Sequence, residues 1–409
     1  MKINDLSLYL EKLENTTSRN DMVVILAELL DKSDVQEIDK MIYLLQGRVA
    51  PIYVPLEFGM ADKMILRAMD KAYSLEDGLA AKEFKKLGDI GEVAAHFAST
   101  YAGKEKKLSV TDVFEVLKLV TETSGPGSVE VKIEKIATLL QSLDPLSARF
   151  VSRIPIGSMR LGFSDMTVLD SLSWMLTGDK SQRKTIERAF NARPDLGFIV
   201  KVVKEKGIKG LDTVKPAVFN PILMARAERL SSGDEIIEKI GECAIEEKLD
   251  GFRLQGHYRK GKGENGEVKL FTRNLEEVTF MYPDVVAGII DQFDVEEAIF
   301  EGEAIAYDPG SGENLPFQLT TQRKRKHGIE EKAKELPLKL ICFDLLFLNG
   351  ESLIDHTYTE RHDKLKKIIT QGNTVSLSVS TVVSTGKEIE TIFDDALSRG
   401  LEGILAKKL

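Results

Sequence analysis

Long apolar runs are missing from this sequence, and their absence excludes a membrane-spanning protein. The longest uninterrupted apolar stretches, such as residues 22–27, are far shorter than the roughly 18 residues that are needed to cross a bilayer. Residues 1–5, Met-Lys-Ile-Asn-Asp, have no apolar segment of the kind that a secretory signal requires. We therefore expect a soluble cytoplasmic protein that has no membrane partner.

Cysteine and histidine are scarce, which excludes a zinc site and a disulfide framework. The two cysteines, Cys243 and Cys342, lie in apolar strand-like stretches, where a buried free thiol is expected. The five histidines are scattered, and no Cys or His pair has the spacing of a zinc ligand set. Any metal ion should therefore be a hard cation that carboxylates bind.

Positive charge is in deficit overall but is concentrated in one segment. The net charge is −9, which taken alone argues against nucleic acid as a partner. Residues 146–210, however, contain twelve Lys and Arg against six acids, so this segment carries +6 and the remainder −15. Such a segment indicates either a surface that binds a phosphate backbone or an ordinary solvated helical face.

The first half of the sequence has the pattern of helices. The chain has 409 residues, of which 43% are apolar and 30% charged, as is typical of a globular protein with two or three domains. Apolar residues recur at helical spacing after Ser109 and after Ser128 and again in 168–176. Clusters of Gly, Pro and Ser, such as 124–128 and 154–158, separate these runs. We predict an all-helical domain at residues 1–212.

The second half, residues 213–409, has the pattern of a mixed α/β domain with antiparallel pairing. The glycine-rich segment 260–266 between two apolar runs predicts a hairpin loop. Helices are predicted at 232–240 and 389–398. The predicted strands are 243–247, 252–258, 268–272, 298–307, 338–348, 374–383 and 403–407.

Residues 246–253, Glu-Glu-Lys-Leu-Asp-Gly-Phe-Arg, carry the strongest chemical signal. Lys248 stands where an apolar strand ends, and burial together with neighbouring cations would lower its pKa and make the amine a nucleophile. Gly251 permits a close turn, and Arg253 adds a fixed cation suited to phosphate oxygens. The alternative is an ordinary β-turn with charged flanks.

The pattern Lys-x-Asp-Gly-x-Arg resembles motif I of the covalent nucleotidyltransferases, which are ATP-dependent DNA ligases, RNA ligases and mRNA capping enzymes. Further motifs follow in the family's order. They lie at 271–274 with 282–284, at 300–304, at 343–350 and at 402–407. Segments 124–128, 160–165, 216–230 and 317–326 are similar to the DNA-binding half and to a basic stretch of archaeal and eukaryotic DNA ligases. The chain is therefore identified as a member of the ATP-dependent DNA ligases.

The resemblance implies a multi-domain fold of the α and α+β classes. An all-helical DNA-binding domain at 1–212 would precede an ATP-grasp-like antiparallel nucleotidyltransferase (adenylation) domain at 213–409. Members of the family continue into motif V and a C-terminal OB-fold, which are absent from this sequence because it stops at residue 409. The OB-fold orients the leaving pyrophosphate and later covers the nick. We therefore expect slow self-adenylation and poor sealing.

The resemblance also implies an ATP site. Its members would be Glu246, Lys248, Arg253, Arg273, Glu303, Phe343 and Lys407. Lys248 would attack the α-phosphate and hold AMP, Glu246 would accept a hydrogen bond from the adenine amine, and Phe343 would stack on the base. Glu303 would bind the ribose, the two arginines would hold phosphate or ribose oxygens, and Lys407 would contact the α-phosphate.

A Mg²⁺ ion is the second implied cofactor. Asp250, Glu303 and Glu402 are the carboxylates that would bind it, and the ion would neutralise charge on the phosphates. Glu301 is an alternative ligand, and the sequence does not decide between these acids.

Nicked double-stranded DNA is the implied partner. Arg153 and Arg160 flank a glycine-containing turn ahead of a helix, which would present both cations and backbone N–H groups to phosphates. The run Arg323, Lys324, Arg325 and Lys326 would add a second contact to the DNA backbone, or else form a solvated loop. A sliding clamp is a further candidate partner, and we expect the protein to be a monomer.

The leading hypothesis is an ATP-dependent DNA ligase that seals nicks through a lysine–AMP intermediate and a DNA–adenylate. An RNA ligase or a capping-type enzyme would share motif I, although the helical half argues against both, and labelling by GTP would favour capping. A catalytically defective protein that only binds nicks is the third hypothesis.

Overall fold

The computed structural model describes residues 1–103, 105–261 and 266–409, so the centre of the predicted hairpin loop at 260–266 lies outside the described residues. The described chain divides into two compact units, residues 1–214 and 215–409. Over the described ranges, the helices are all too short or too polar to cross a bilayer. The helices of the first unit are α1 (Ile3–Glu14), α2 (Arg19–Lys32), α3 (Ile38–Leu45), α4 (Asp62–Ala72), α5 (Leu79–Leu87), α6 (Ile90–Thr100), α7 (Val110–Glu122), α8 (Ser128–Leu140), α9 (Pro145–Arg153), α10 (Asp165–Thr177), α11 (Arg183–Ala192) and α12 (Leu196–Lys206).

Local sequence explains where several of these helices begin. The Ser109 side chain accepts a hydrogen bond from the Asp112 backbone N–H, and the Asp112 carboxylate accepts one from Ser109 in return, which starts α7. Asp144 caps α9, whose first residue is Pro145. The predicted helices after Ser109 and Ser128 and across 168–176 are confirmed. Their apolar faces are buried in the core of the unit.

The second unit is built from antiparallel strands with helices packed on them. Its elements are α13 (Gly233–Ile240), β1 (Cys243–Glu247), β2 (Phe252–Arg259), β3 (Glu267–Thr272), α14 (Pro283–Gln292), β4 (Glu297–Ala306), α15 (Phe317–Thr320), α16 (Ile329–Glu335), β5 (Leu338–Leu348), β6 (Glu351–Ser352), α17 (Tyr358–Ile368), β7 (Val375–Leu377), β8 (Ser380–Val383), α18 (Gly386–Ser398) and β9 (Ile404–Lys408). The predicted α/β class with antiparallel pairing is confirmed.

The larger sheet has the strand order β3-β2-β4-β5-β6, and β7 pairs in parallel with β5. One face carries the main core of the unit, in which α14 and α17 pack on the strands. The other face carries a polar row, because Arg253 lies opposite Glu303 and Gln255 opposite Glu301 on the paired strands β2 and β4. Side chains directly opposite each other on paired strands share a face.

The smaller sheet has the order β8-β1-β9, with both pairs antiparallel. Apolar residues of α13 and α18 pack against one face, around Cys243 and Ile245. Because side chains alternate along a strand, Glu246 of β1 points to the opposite face. The Glu246 carboxylate bonds to Lys407 of β9 and to Tyr358 of α17, which packs on β5 of the larger sheet. Glu246 therefore faces the space between the two sheets.

One predicted strand, 374–383, is wrong as a single element. The structure divides it into β7, which pairs with the larger sheet, and β8, which pairs with the smaller one. The backbone N–H of Ser378 still donates to the Cys342 carbonyl on β5, and the chain crosses to β1 immediately afterwards. A continuous β-like composition cannot reveal such a change of sheet.

Candidate active site

Lys248 lies in the turn between β1 and β2, as predicted. Its backbone N–H donates to the carbonyl of Gly403, 2.9 Å away, which ties the turn to the segment before β9. Its ammonium group forms an ion pair with Glu402, and the two side chains are 46% and 47% exposed. The expectation that Lys248 is buried is therefore wrong, because the turn projects from the sheet and leaves the side chain accessible.

Gly251 allows the same turn to pack closely on β4. A side chain at this position would collide with the carbonyl oxygen of Ala304 and with the Glu303 side chain. The Gly251 backbone N–H donates to Glu303. The Lys-Leu-Asp-Gly turn is thus anchored at both ends, by Gly403 and by β4.

Arg253, the last residue of the motif, forms an ion pair with the buried Glu301 and donates from Nη1 to the Ala225 carbonyl, 2.9 Å away. Its Nε is buried and has no hydrogen-bond partner among the described residues. An unsatisfied buried donor of a guanidinium is costly. A phosphate or ribose oxygen bound here would satisfy it, which fits the predicted nucleotide contact.

Glu303, one of the residues of the predicted ATP site, has a carboxyl group whose pKa is strongly shifted. Burial and, to a smaller extent, the nearby Asp250 raise the pKa of this carboxyl to about 7, although Arg253 and Lys248 act in the opposite direction. A carboxyl whose pKa is displaced in this way, beside an accessible lysine, is typical of a functional site.

Glu246 and Lys407, two members of the predicted ATP site, form an ion pair that the sequence did not predict. The Lys407 ammonium donates to both carboxylate oxygens of Glu246, each 2.9 Å away, and to the Phe343 carbonyl at 3.1 Å. It also lies 4.8 Å from the centre of the Phe343 ring, which is partly exposed. Arg273 follows the end of β3 and is exposed.

Within residues 1–103, 105–261 and 266–409, the structure shows no preformed cluster of metal ligands. In the part of the chain that the structure describes, no three His, Cys, Asp or Glu side chains are grouped closely enough to hold an ion. The predicted set of Asp250, Glu303 and Glu402 is therefore not assembled, and Glu402 is engaged by Lys248. Mg²⁺ is commonly bound by one or two carboxylates, with substrate phosphates and water completing its shell. The residues present fit an ion that arrives with a nucleotide.

Arg153 is a correction to the predicted DNA contacts. Its side chain is only 2% exposed, and its guanidinium donates to Asp89 from Nε and Nη2 and to Glu14 from Nη1. An arginine with all of its charge buried against two acids cannot reach a phosphate. Arg160 remains accessible, being 54% exposed, and pairs with the other oxygen of Asp89.

Arg323 is the second correction. It is 1% exposed and makes a bidentate pair with Asp284 in addition to a bond to the Leu336 carbonyl. The next three residues of the run, Lys324 to Lys326, are exposed. The predicted four-residue contact is thus one internal anchor followed by three accessible cations.

Most of the basic segment 146–210 is also engaged internally. Arg183 and Lys180 pair with Asp170, and Lys201 pairs with Asp39. The excess of positive charge in the sequence is therefore largely balanced by acids from other helices. It does not form the uniform basic face that the sequence suggested.

Sequence reasoning missed two residues of β2, Gln255 and His257. Both bind the backbone of residues 219–222, which precede the Lys248 motif. The Gln255 side chain exchanges hydrogen bonds with the backbone of Ile222 and donates to Glu301. His257 accepts from the Phe219 backbone N–H at Nδ1, and burial lowers the pKa of this imidazole to about 3. The available signal was polar residues at every second position of a strand, from Arg253 onward.

Tyr358 is the third missed residue. Its hydroxyl donates to Glu246, 2.5 Å away, across 112 positions of sequence. It begins a helix whose sequence gives no indication of a role in the site.

The comparisons with known proteins agree with this geometry. A family model described as "ATP dependent DNA ligase domain" matches residues 224–409, and one described as "DNA ligase N terminus" matches residues 2–173. The two matches together cover most of the chain.

Curated relatives match along the whole chain. A probable DNA ligase of Dictyoglomus thermophilum is 43% identical over 409 residues, which is 100% of this chain and 69% of that protein. A DNA ligase of Sulfolobus acidocaldarius is 37% identical over 421 residues, covering 100% of this chain and 70% of that protein. The chain thus spans about 69% of the length of such relatives.

Solved structures support the fold. A chain titled "Pmar-Lig_Pre." aligns with a TM-score of 0.53 at 14% identity, covering 98% of this chain and 73% of that chain. Another, titled "Pmar-Lig_PreS3", aligns with a TM-score of 0.50 at 16% identity over 98% of this chain and 73% of that one.

Proposed function

Since this chain belongs to the family of ATP-dependent DNA ligases, we propose that it seals nicks in duplex DNA by three nucleotidyl transfers. In the first, Nζ of Lys248 attacks the α-phosphorus of ATP, and pyrophosphate leaves. In the second, the 5′-phosphate at the nick attacks the lysine-bound AMP and releases the lysine. In the third, the 3′-hydroxyl attacks the activated 5′-phosphate, and AMP leaves.

The observation that carries this proposal is the position of Lys248. The lysine is accessible on an anchored turn, and it lies near Glu303 and opposite Glu402. An ammonium has no lone pair, so the amine must lose a proton before it attacks. Glu402, its ion-pair partner, is placed to accept that proton. The alternative interpretation, an ordinary β-turn with charged flanks, does not explain why the turn lies beside the Glu303 carboxyl and the incompletely paired Arg253 guanidinium.

The rest of the cleft fits a nucleotide. Glu246 accepts from the adenine amine, and the Phe343 ring offers a face for the base. Arg253 has a free Nε for a phosphate or ribose oxygen. Arg273 and Lys407 supply further cations, and Glu303 binds the ribose hydroxyl.

Mg²⁺, held by Glu303 or Asp250 together with the phosphates, would neutralise charge that develops as pyrophosphate leaves. In this proposal Glu402 and Glu301 do not bind the metal ion, because Glu402 accepts the proton of Lys248 and Glu301 stays bound to Arg253. The cations of the cleft hold the phosphates in line for attack, and positioning supplies much of the rate.

The proposed partner is nicked double-stranded DNA, and the accessible cations Arg160 and Lys324 to Lys326 are the proposed contacts with its backbone. The protein acts as a cytoplasmic monomer in this proposal, and a sliding clamp is a candidate partner.

The test follows labelled AMP through the three steps. Protein is incubated with α-labelled ATP and Mg²⁺, freed of nucleotide, and then mixed with a nicked duplex. We expect the label first on the protein, then on the 5′-phosphate of the nick and finally as free AMP beside sealed DNA. A nick that carries a 5′-hydroxyl is the control and should leave the label on the protein. Labelling by GTP instead of ATP, or no transfer to DNA, would contradict the proposal.

A further inference from the structure

Glu246 is held from more than one direction before any nucleotide is present. Oε1 accepts from the Tyr358 hydroxyl and from the Lys407 ammonium, and Oε2 accepts from the same ammonium. The residue is only 3% exposed. The carboxylate is therefore fixed in orientation as well as in position, because Lys407 contacts both of its oxygens and Tyr358 contacts only Oε1.

The number of hydrogen bonds leaves room for one more. A carboxylate offers about four lone-pair sites, and three are used by the described partners of Glu246. The remaining site is on Oε2, because Oε1 already accepts two bonds. If the Tyr358 hydroxyl were lost, the carboxylate could rotate about its last bond and share its sites differently with Lys407.

Tyr358 is placed to donate to Glu246, and its hydroxyl also has a side-chain hydrogen bond with Ser380. Its side chain is buried, and its ring packs beside His362 with the ring centres 5.4 Å apart. The Lys407 ammonium lies 5.1 Å from the centre of the Tyr358 ring, so the tyrosine also contacts the second partner of Glu246. Burial and the contact with Glu246 raise the pKa of the phenol. The hydroxyl therefore stays protonated throughout the working pH range.

We propose that Tyr358 is a positioning residue for base recognition: its hydroxyl orients Glu246 so that the free lone pair of Oε2 meets the exocyclic amine of adenine. Guanine has a carbonyl oxygen where adenine has this amine, and a fixed carboxylate oxygen repels it. Tyr358 thereby favours ATP over GTP without touching the nucleotide. This inference rests on the proposed function, in which Glu246 binds adenine.

A purely structural role for Tyr358 is the competing explanation, since the residue also joins α17 to β1. The positioning role and the structural role can be distinguished by comparing the binding of two nucleotides, ATP and purine riboside triphosphate. Purine riboside triphosphate is ATP without the 6-amino group, so it cannot use the Oε2 lone pair but retains every other contact. A variant that damages the pocket in general weakens both nucleotides, whereas a variant that misorients Glu246 weakens only ATP.

The experiment measures equilibrium binding of both nucleotides to the whole chain and to Tyr358→Phe, which lacks only the hydroxyl. We expect ATP to bind about tenfold more weakly to the variant, and purine riboside triphosphate to bind within about twofold of wild type. Tyr258→Phe is the matched control, because that ring is also buried and packs against Phe293. It should change neither affinity.

A double variant tests whether the effect passes through Glu246. In a Glu246→Gln background, Tyr358→Phe should leave the ATP preference unchanged, because the carboxylate that it orients is gone. Should Tyr358→Phe unfold before binding can be measured, Tyr358→Met fills similar space without a donor and takes its place.

The outcomes are distinct. Equal weakening of both nucleotides, an unchanged ATP preference, or the same loss in the Glu246→Gln background would overturn the role of Tyr358 while leaving the proposed function intact. Failure of wild type to bind either nucleotide would overturn both.

Discussion

Two buried charge clusters, one in each unit of this protein, differ in how completely they are paired. In the first unit, the Arg153 guanidinium donates from all three of its nitrogens to Asp89 and Glu14. In the second unit, Arg253 has an Nε with no partner among the described residues, and Glu303 has a pKa raised to about 7. The Arg153 guanidinium has no nitrogen left to donate to a ligand, and its group with Asp89 and Glu14 is called the closed cluster here, whereas Arg253 has an unused donor.

Incomplete pairing alone does not identify functional charge, because Arg149, Arg183 and Arg193 of the first unit also have a buried Nε without a hydrogen-bond partner among the described residues. The raised pKa of Glu303 is what distinguishes the cluster of the second unit. A buried charge whose partners are complete stabilises a fold but has nothing left for a ligand. Incomplete pairing and a displaced pKa are costly to the free protein, and they are typical of sites that bind a charged ligand. Arg153 and Arg323 belong to the first kind, and the residues around Lys248 belong to the second.

The largest expected effect is on chemistry alone. Lys248→Ala should abolish covalent AMP, because it removes the attacking amine. It should change the free energy of unfolding by less than about 0.5 kcal/mol, since the side chain is largely solvated. The measurements are labelling by α-labelled ATP and denaturant unfolding. Lys239→Ala is the matched control, because that lysine is 49% exposed and also pairs with an acid, Glu228. Label retained by Lys248→Ala would refute the assignment.

The largest effect on stability should come from the closed cluster. Arg153→Met should lower the free energy of unfolding of the first unit by about 3 to 5 kcal/mol, because Asp89 and Glu14 are left without their buried partner. Arg160→Met removes an exposed partner of the same Asp89 and should cost less than about 1 kcal/mol. Urea unfolding of both variants checks this. An equal decrease in the free energy of unfolding in both variants would mean that the burial of Arg153 does not contribute to stability.

A substitution at Glu303 should have an intermediate effect on stability, and this effect should depend on pH. Because its pKa is raised in the folded state from 4.5 to about 7, the folded protein binds more protons than the unfolded chain in this interval. Stability without nucleotide should therefore fall as pH rises from about 4.5 to 7. Glu303→Gln should remove this contribution and be more stable than wild type at pH 8 by about 1 to 3 kcal/mol. The two proteins should be alike at pH 4. Parallel profiles across this range would contradict the assignment.

The smallest effect on stability should come from the accessible basic run. Replacing Lys324, Arg325 and Lys326 by Gln should leave unfolding within about 0.5 kcal/mol of wild type. It should nevertheless weaken binding to nicked DNA and flatten its salt dependence by about one unit for each lost phosphate contact. Arg323→Gln is the comparison, and it should destabilise the second unit because Asp284 loses its partner. An unchanged salt slope in the triple variant would mean that these residues are only solvated.

The sequence predicted the parts of the site that depend on neighbours in the chain. The turn that carries Lys248 lies between strands β1 and β2 because an apolar run, a Leu-Asp-Gly turn and a second apolar run follow each other directly. The family resemblance placed Glu246 and Lys407 in one predicted site, but only the structure shows that the two side chains pair with each other.

The parts that failed depend on distant partners. Arg153 is buried by Asp89, 64 positions away, and Arg323 by Asp284, 39 positions away. A charged residue in a polar-looking segment gives no sign of a remote acid that will bury it. The Tyr358 contact with Glu246 and the division of 374–383 between two sheets were hidden for the same reason, since both arise only when the sheets are assembled.

If Arg253, Glu303 and the other residues around Lys248 form the catalytic site, AMP must become attached to Lys248. Mapping the covalent adduct measures this. The chain is incubated with α-labelled ATP and Mg²⁺ at neutral pH and digested by a protease, and the labelled peptide is sequenced by mass spectrometry. We expect one AMP, on Nζ of Lys248, within the peptide that contains residues 246–253. AMP on any other residue would contradict it, as would ATP binding that never produces an adduct.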